Sequence, residues 1–151
     1  ATLHADNAEQ TISRLTNPPI NVPKQMLDVL SGIVVTFRHR RLNIRRVLEF
    51  SEVTKGGEAN TIFRWDLKSD KMKNVGKMTT LINTLSLYAG MDEKEIQKDI
   101  EEKMGVLDWM VKKDYYEVDQ VGELVSNYYL NQESLMDAVR KGKQWDFRYK
   151  S

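Results

Sequence analysis

The spacing of apolar residues changes near Asn74, and this constrains the fold of the 151-residue chain more than any other feature. Ahead of that point they gather in β-branched and aromatic runs; beyond it they recur every three to four residues, as on one face of a helix. The runs Ile33–Phe37 and Leu42–Val53, joined by the basic turn His39-Arg40-Arg41, predict an antiparallel hairpin. Leu42, Ile44, Leu48 and Phe50 share one face of it, interrupted by Arg46, so the strand is expected to bulge there or to lie at an edge. Thr54-Lys55-Gly56-Gly57-Glu58 turns the chain back into a third strand, Asn60–Asp66. Three helical stretches are expected to end in a short fourth: Met78, Leu81, Ile82 and Leu85, closed by Gly90; Ile96, Ile100, Met104, Leu107 and Val111, opened by Asp92 with Glu95; Val118, Val121, Leu124, Val125 and Tyr128; and Leu135, Met136 and Val139. The expected class is α+β: a mixed part, 1–73, with three antiparallel strands, a helical part, 74–143, and a polar-aromatic tail, 144–151, that frays.

The amino end reads as the close of a strand, Ala1-Thr2-Leu3, then a helix capped by Asn7 or Asp6 with Ala8, Ile12 and Leu15 inward. Asn17-Pro18-Pro19 stops it. An extended stretch through Val22 leads to Pro23 in the first turn of a second helix, with Met26, Leu27 and Leu30 inward and Gly32 at its end. A first strand without neighbours would be disordered, re-paired or part of a dimer contact.

The net charge of +1 names no partner, although the signs separate locally: Arg38, Arg40, Arg41, Arg45 and Arg46 in one segment, Asp92–Glu102 in another. The absence of cysteine excludes thiolate metal sites, a catalytic thiol and disulfides. No apolar run reaches the roughly 18 residues of a membrane span. A start at Ala1-Thr2-Leu3-His4-Ala5, with no initiator methionine, leads us to expect a piece of a longer protein; methionine removal is the plain alternative.

Thr2-Leu3-His4-Ala5, then Ile12-Ser13-Arg14-Leu15 and Pro18-Pro19-Ile20-Asn21-Val22-Pro23, resemble archaeal type II/IV secretion ATPases, in which a histidine box closes a core strand beside the nucleotide. Arg45-Arg46-Val47-Leu48-Glu49, Ile62-Phe63-Arg64-Trp65-Asp66 and Val106-Leu107-Asp108-Trp109-Met110 resemble the same family's C-terminal region, so the likeness spans nearly the whole chain. It implies that 1–73 is a remnant of a RecA-like nucleotide-binding domain followed by a helical bundle. By the same resemblance, His4 faces the γ-phosphate in a parent ATPase, and Arg14, Arg45 and Arg46 are candidates for nucleotide or subunit contacts. ATP and Mg would belong to the intact parent, a cytoplasmic ring at the inner face of the membrane that meets a membrane platform protein and no nucleic acid. The Gly-rich phosphate loop is absent: Gly76-Lys77-Met78-Thr79 is the nearest string, without the required preceding glycine and the Ser/Thr directly after lysine. The acidic magnesium-positioning strand would lie upstream too, so this piece alone is expected to turn over no ATP and to hold no cofactor or metal.

Plainer readings stand beside these. A lone histidine most often hydrogen-bonds locally, and a cation at Arg14 suits the end of a helix. His39 reads as an unpaired surface residue. The arginine segment lacks the interleaved aromatics of a nucleic-acid platform and reads as a solvated or intersubunit face. Trp65, Trp109, the methionines and Tyr128-Tyr129 read as packing, and the acidic run as a solvated helix face. The alternative function is an independently folded helical interaction module without a nucleotide role; a nucleic-acid-binding arginine hairpin is the third class.

Overall fold

The computed structural model describes residues 2–148. The chain forms two compact units, Ala1–Met91 and Asp92–Ser151. The first is a mixed α/β unit and the second is helical.

In the first unit, helix α1 (Ala8–Thr16) begins where Asn7 accepts the amide of Gln10, and it buries Ala8 and Ile12. Four strands follow: β1 (Gly32–His39), β2 (Ile44–Val53), β3 (Ala59–Asp66) and β4 (Lys71–Asn74), each antiparallel to the next in the order β1-β2-β3-β4. The expected three strands are therefore four. Lys71-Met72-Lys73-Asn74 is short and fully exposed, which hides it from a hydrophobic-pattern reading; its pairing with Phe63–Asp66 makes it a strand. Ala8, Ile12, Leu27, Ile33, Val35 and Val53 form the core between α1 and one face of the sheet.

Both central pairings carry a bulge. Partners step from Val35–Glu49 to Thr36–Val47, leaving Leu48 extra, and from Phe50–Phe63 to Ser51–Thr61, leaving Ile62 extra. The irregularity expected around Arg46 is thus a bulge two residues on, and Ile44–Val47 pair with β1 alone. Leu42 is exposed and lies in the turn instead of on the strand face.

Other expectations in this unit change. Thr2 and Leu3 form no strand, and Ala1 lies outside the described residues. Without sheet neighbours an isolated strand cannot satisfy its backbone groups. The second helix is a 3-10 helix, Lys24–Val29, with Leu27 buried and Met26 exposed, because a six-residue turn anchored by Pro23 presents one side chain to the core. Gly32 opens β1 instead of ending that helix; a Cβ there would sit 3.1 Å from the Phe50 ring. Helix α2 (Thr80–Ala89) ends at Gly90 in the left-handed region, φ 66°, as expected. The division falls after Met91 instead of at 73/74, because α2 is tied to β2 by Glu52 and stays with the sheet.

The second unit comprises α3 (Glu93–Lys112), α4 (Val118–Leu130) and α5 (Gln132–Arg140). Asp92 and Glu95 form the expected reciprocal cap of α3. Its inner face matches expectation at Ile96, which is buried, and differs further along: Val106, Trp109 and Met110 join Leu124, Tyr128, Leu135 and Met136 in the core, while Met104, Leu107 and Val111 are exposed. Helix α3 carries two apolar stripes, and the one with tryptophan fills the space against α5. Residues 144–148 are held: Trp145 and Phe147 pack on this core, the Trp145 amide donates to the Tyr115 hydroxyl (2.9 Å), and its indole N–H donates to Glu123 (3.1 Å). The expected fraying of the tail does not apply there, and 149–151 lie outside the described residues.

Candidate functional site

Strand β2 carries two buried carboxylates three residues apart, Glu49 and Glu52, 3% and 0% exposed. Their odd spacing puts them on opposite faces of the strand. Each meets the start of a helix, where unpaired N–H groups and the helix dipole favour a negative charge.

Glu49 serves α1. Its Oε1 accepts the Ala8 amide at 2.6 Å, and its Oε2 faces Arg64 Nη2 at 3.4 Å across the register pair with β3. The segment before the helix is held again where the Asp6 amide donates to the Gln10 side chain at 2.6 Å. His4 lies four residues before Ala8. It is exposed, and no hydrogen bond or ion pair engages it among the described residues.

Glu52 serves α2. It accepts the Thr79 amide at 3.1 Å, the Thr79 hydroxyl at 3.0 Å, the Leu81 amide at 2.9 Å and the Asn60 side-chain amide at 2.9 Å. Burial pushes its pKa up, but the donors from Leu81, Asn60 and Thr79 together outweigh that and hold the carboxyl below its ordinary value. This contact also decides the string Gly76-Lys77-Met78-Thr79. The Gly76 amide donates to Ile62 O, the Thr79 amide donates to Glu52, and a Cβ at Gly76 would lie 2.2 Å from Thr61 O. The glycine serves a close backbone approach, and these N–H groups are committed to protein acceptors instead of a phosphate.

The candidate arginines are not brought together. Arg14 is exposed in the last turn of α1. Arg45 is exposed opposite Arg38 in the hairpin register, a like-charge pair without an ion-pair partner among the described residues. Arg46 is clamped by Asp70 through two bonds, Nε to Oδ1 at 2.8 Å and Nη2 to Oδ2 at 2.7 Å. Asp70 also accepts the Trp65 indole N–H at 2.8 Å, and its carboxyl is held down at about 2 by Arg46 and Trp65. Arg46 thus ties β2 to the β3–β4 turn. His39 was expected to be unpaired, yet its Nδ1 accepts the Leu42 amide at 3.2 Å inside the basic turn.

Arg64 is not among the arginines that the sequence marks as candidates. It lies beside the carboxylate that anchors α1, with a side chain 59% exposed. The available signal was its place in Ile62–Asp66, one of the stretches that carry the resemblance; its contact with Glu49 depends on strand register.

Among the described residues no group of three or more His, Cys, Asp or Glu is placed to hold a metal ion. A cavity of about 320 Å³ beside α2, lined by Asp28, Leu30, Val53, Thr80, Leu81 and Tyr88 among others, contains none of the candidate residues. No described helix is long and apolar enough to cross a membrane.

No family model matches the chain. It is similar to two proteins of Methanocaldococcus jannaschii. With the uncharacterized protein MJ0781 it is 31% identical over 147 residues, covering 92% of this chain and 20% of that protein. With the uncharacterized protein MJ1287 it is 28% identical over 108 residues, covering 66% of this chain and 40% of that protein. The chain thus spans a fifth and two fifths of these relatives.

Proposed function

We propose that this chain is the C-terminal portion of a hexameric secretion or pilus-assembly ATPase, a remnant of a RecA-like core followed by a helical unit. The observation that carries the reading is the exposed His4, free of protein partners among the described residues, in a segment held by Asp6 and Ala8 at the start of α1. An exposed imidazole offers a ring N–H that can donate to a phosphate oxygen. Support also comes from a similarity to an archaeal protein of which the matched segment is 20%, which leaves room for the phosphate loop.

In the parent, ATP and Mg would be gripped by upstream residues. When bound, ATP supplies the phosphoryl bond whose cleavage drives the ring. The part left to this chain is to place His4 against the terminal phosphate and pass its presence to the sheet through Ala8 and Glu49. A cytoplasmic ring at the inner membrane face, working on a membrane platform protein, completes the reading.

The test is steady-state turnover by the intact parent carrying His4→Ala. We expect kcat to fall at least about tenfold with KM little changed, the pattern of an interaction made in the transition state. Turnover equal to that of the unsubstituted parent would overturn the proposal. The 151-residue chain alone is expected to show no turnover.

One observation favours a second reading, a helical docking module. Met104, Leu107 and Val111 form an exposed apolar stripe on α3, 57–58% exposed. Normal parent turnover with His4→Ala, together with loss of a partner on Leu107→Asp, would favour it.

A further inference from the structure

We propose that Arg64 is the cationic partner of His4 at the phosphate-facing end of the first unit, with Glu49 as the positioning residue for both; this rests on the reading of His4 given above. One carboxylate makes both connections. Glu49 Oε1 takes the Ala8 amide at 2.6 Å, fixing the residue that ends the His4 segment, and Oε2 lies 3.4 Å from Arg64 Nη2. The carboxylate is buried, its side chain 4% exposed, whereas that of Arg64 is 59% exposed.

A guanidinium offers five N–H donors in a planar fork. Among the described residues Arg64 commits one of them, at 3.4 Å, and its side chain is 59% exposed. Arg46 differs: its Nε and Nη2 donate to Asp70 at 2.8 and 2.7 Å and its Nη1 donates to Arg45 O at 3.0 Å, so it has little left to offer an incoming anion. The single charge of Glu49 faces both the start of α1 and Arg64, whose positive charges together exceed it, so the group stays net positive toward an approaching phosphate. The fork geometry suits phosphate oxygens. An arginine held by one long contact to a buried acid is oriented yet free to turn. Substitution of Glu49 would loosen both the His4 segment and Arg64 at once.

The experiment compares His4→Ala, Arg64→Ala, Arg64→Lys, Glu49→Gln and the His4→Ala/Arg64→Ala double variant in the intact parent, by steady-state ATP turnover, with thermal melts reporting folding. Arg64→Ala should lower kcat about tenfold or more with KM little changed. Arg64→Lys should recover little, because a point charge lacks the fork. The double variant should lose less than the product of the single losses, since both groups meet the same phosphate. Glu49→Gln should follow Arg64→Ala in kcat. If His4→Ala turns over normally, the functional reading fails and this inference with it. If His4→Ala is impaired while folded Arg64→Ala keeps the unsubstituted kcat, or if the paired losses multiply strictly, this inference is overturned and the reading of His4 stands. Arg64 is an exposed side chain, so its variants keep the test decisive if Glu49→Gln fails to fold.

Discussion

Replacing Glu52 by Ala probes the bond between sheet and α2 directly. The carboxylate is fully buried and accepts from Leu81, Thr79 and Asn60. A hydrogen bond to a charged group contributes about 1.5–3 kcal/mol. Thr79 is exposed and can turn to water, so the loss is dominated by the Leu81 amide and the Asn60 side chain, about 3–6 kcal/mol. Removing a buried charge also removes its desolvation cost, which offsets part of this and leaves about 3 kcal/mol. For a unit of this size that lowers Tm by about 12 °C or more.

Trp65 is the sole tryptophan of the first unit, so urea denaturation followed by its fluorescence, with the second unit's signal subtracted using a Trp65→Phe variant, reports the loss. The pH dependence follows from the depressed carboxyl of Glu52. Its stabilisation is full above the ordinary glutamate value, about 4.3, and is lost as pH falls through the lower folded value. The gap between unsubstituted and Glu52→Ala chains should therefore be wide at pH 7 and should narrow below about pH 4. A stability change under about 0.5 kcal/mol, or a gap unaltered by acid, would refute the reasoning.

Two further substitutions test the packing. Leu124→Ala removes a side chain with no exposed surface from the second unit and should cost about 3 kcal/mol in denaturant melts followed by near-ultraviolet circular dichroism; under about 1 kcal/mol would contradict the assigned core. Gly57→Ala should destabilise the first unit by about 2 kcal/mol or more in the Trp65-reported melt, because φ is +70° and a Cβ would lie 2.3 Å from Lys24 O; an unchanged midpoint would count against that turn.

Local chemistry made several elements legible. Asn7 before Ala8, Asp92 with Glu95, and Gly90 after an apolar stripe each mark a helix end, since a cap is satisfied within a few residues of the chain. The hairpin of β1 and β2 follows equally from two β-branched runs around a basic turn. Periodicity alone failed where two answers were locally equivalent. Helix α3 offers two apolar stripes, and only packing against α5 decides that Trp109 faces inward and Leu107 outward. Strand β4, four exposed residues, exists because Phe63–Asp66 offers an edge to pair with.

For the candidate site the same division holds. The sequence by itself determined that His4 precedes a capped helix and that two glutamates lie three apart on a strand, because these are matters of order and spacing. Only the tertiary structure decided that Glu49 reaches Ala8 and Arg64, that Glu52 anchors α2, and that Arg46 is taken by Asp70. Those contacts join residues 15 to 41 positions apart, and no local pattern encodes which distant donor a buried carboxylate will meet. Strand register and the bulges at Leu48 and Ile62 set it, by fixing which side chains of neighbouring strands share a face.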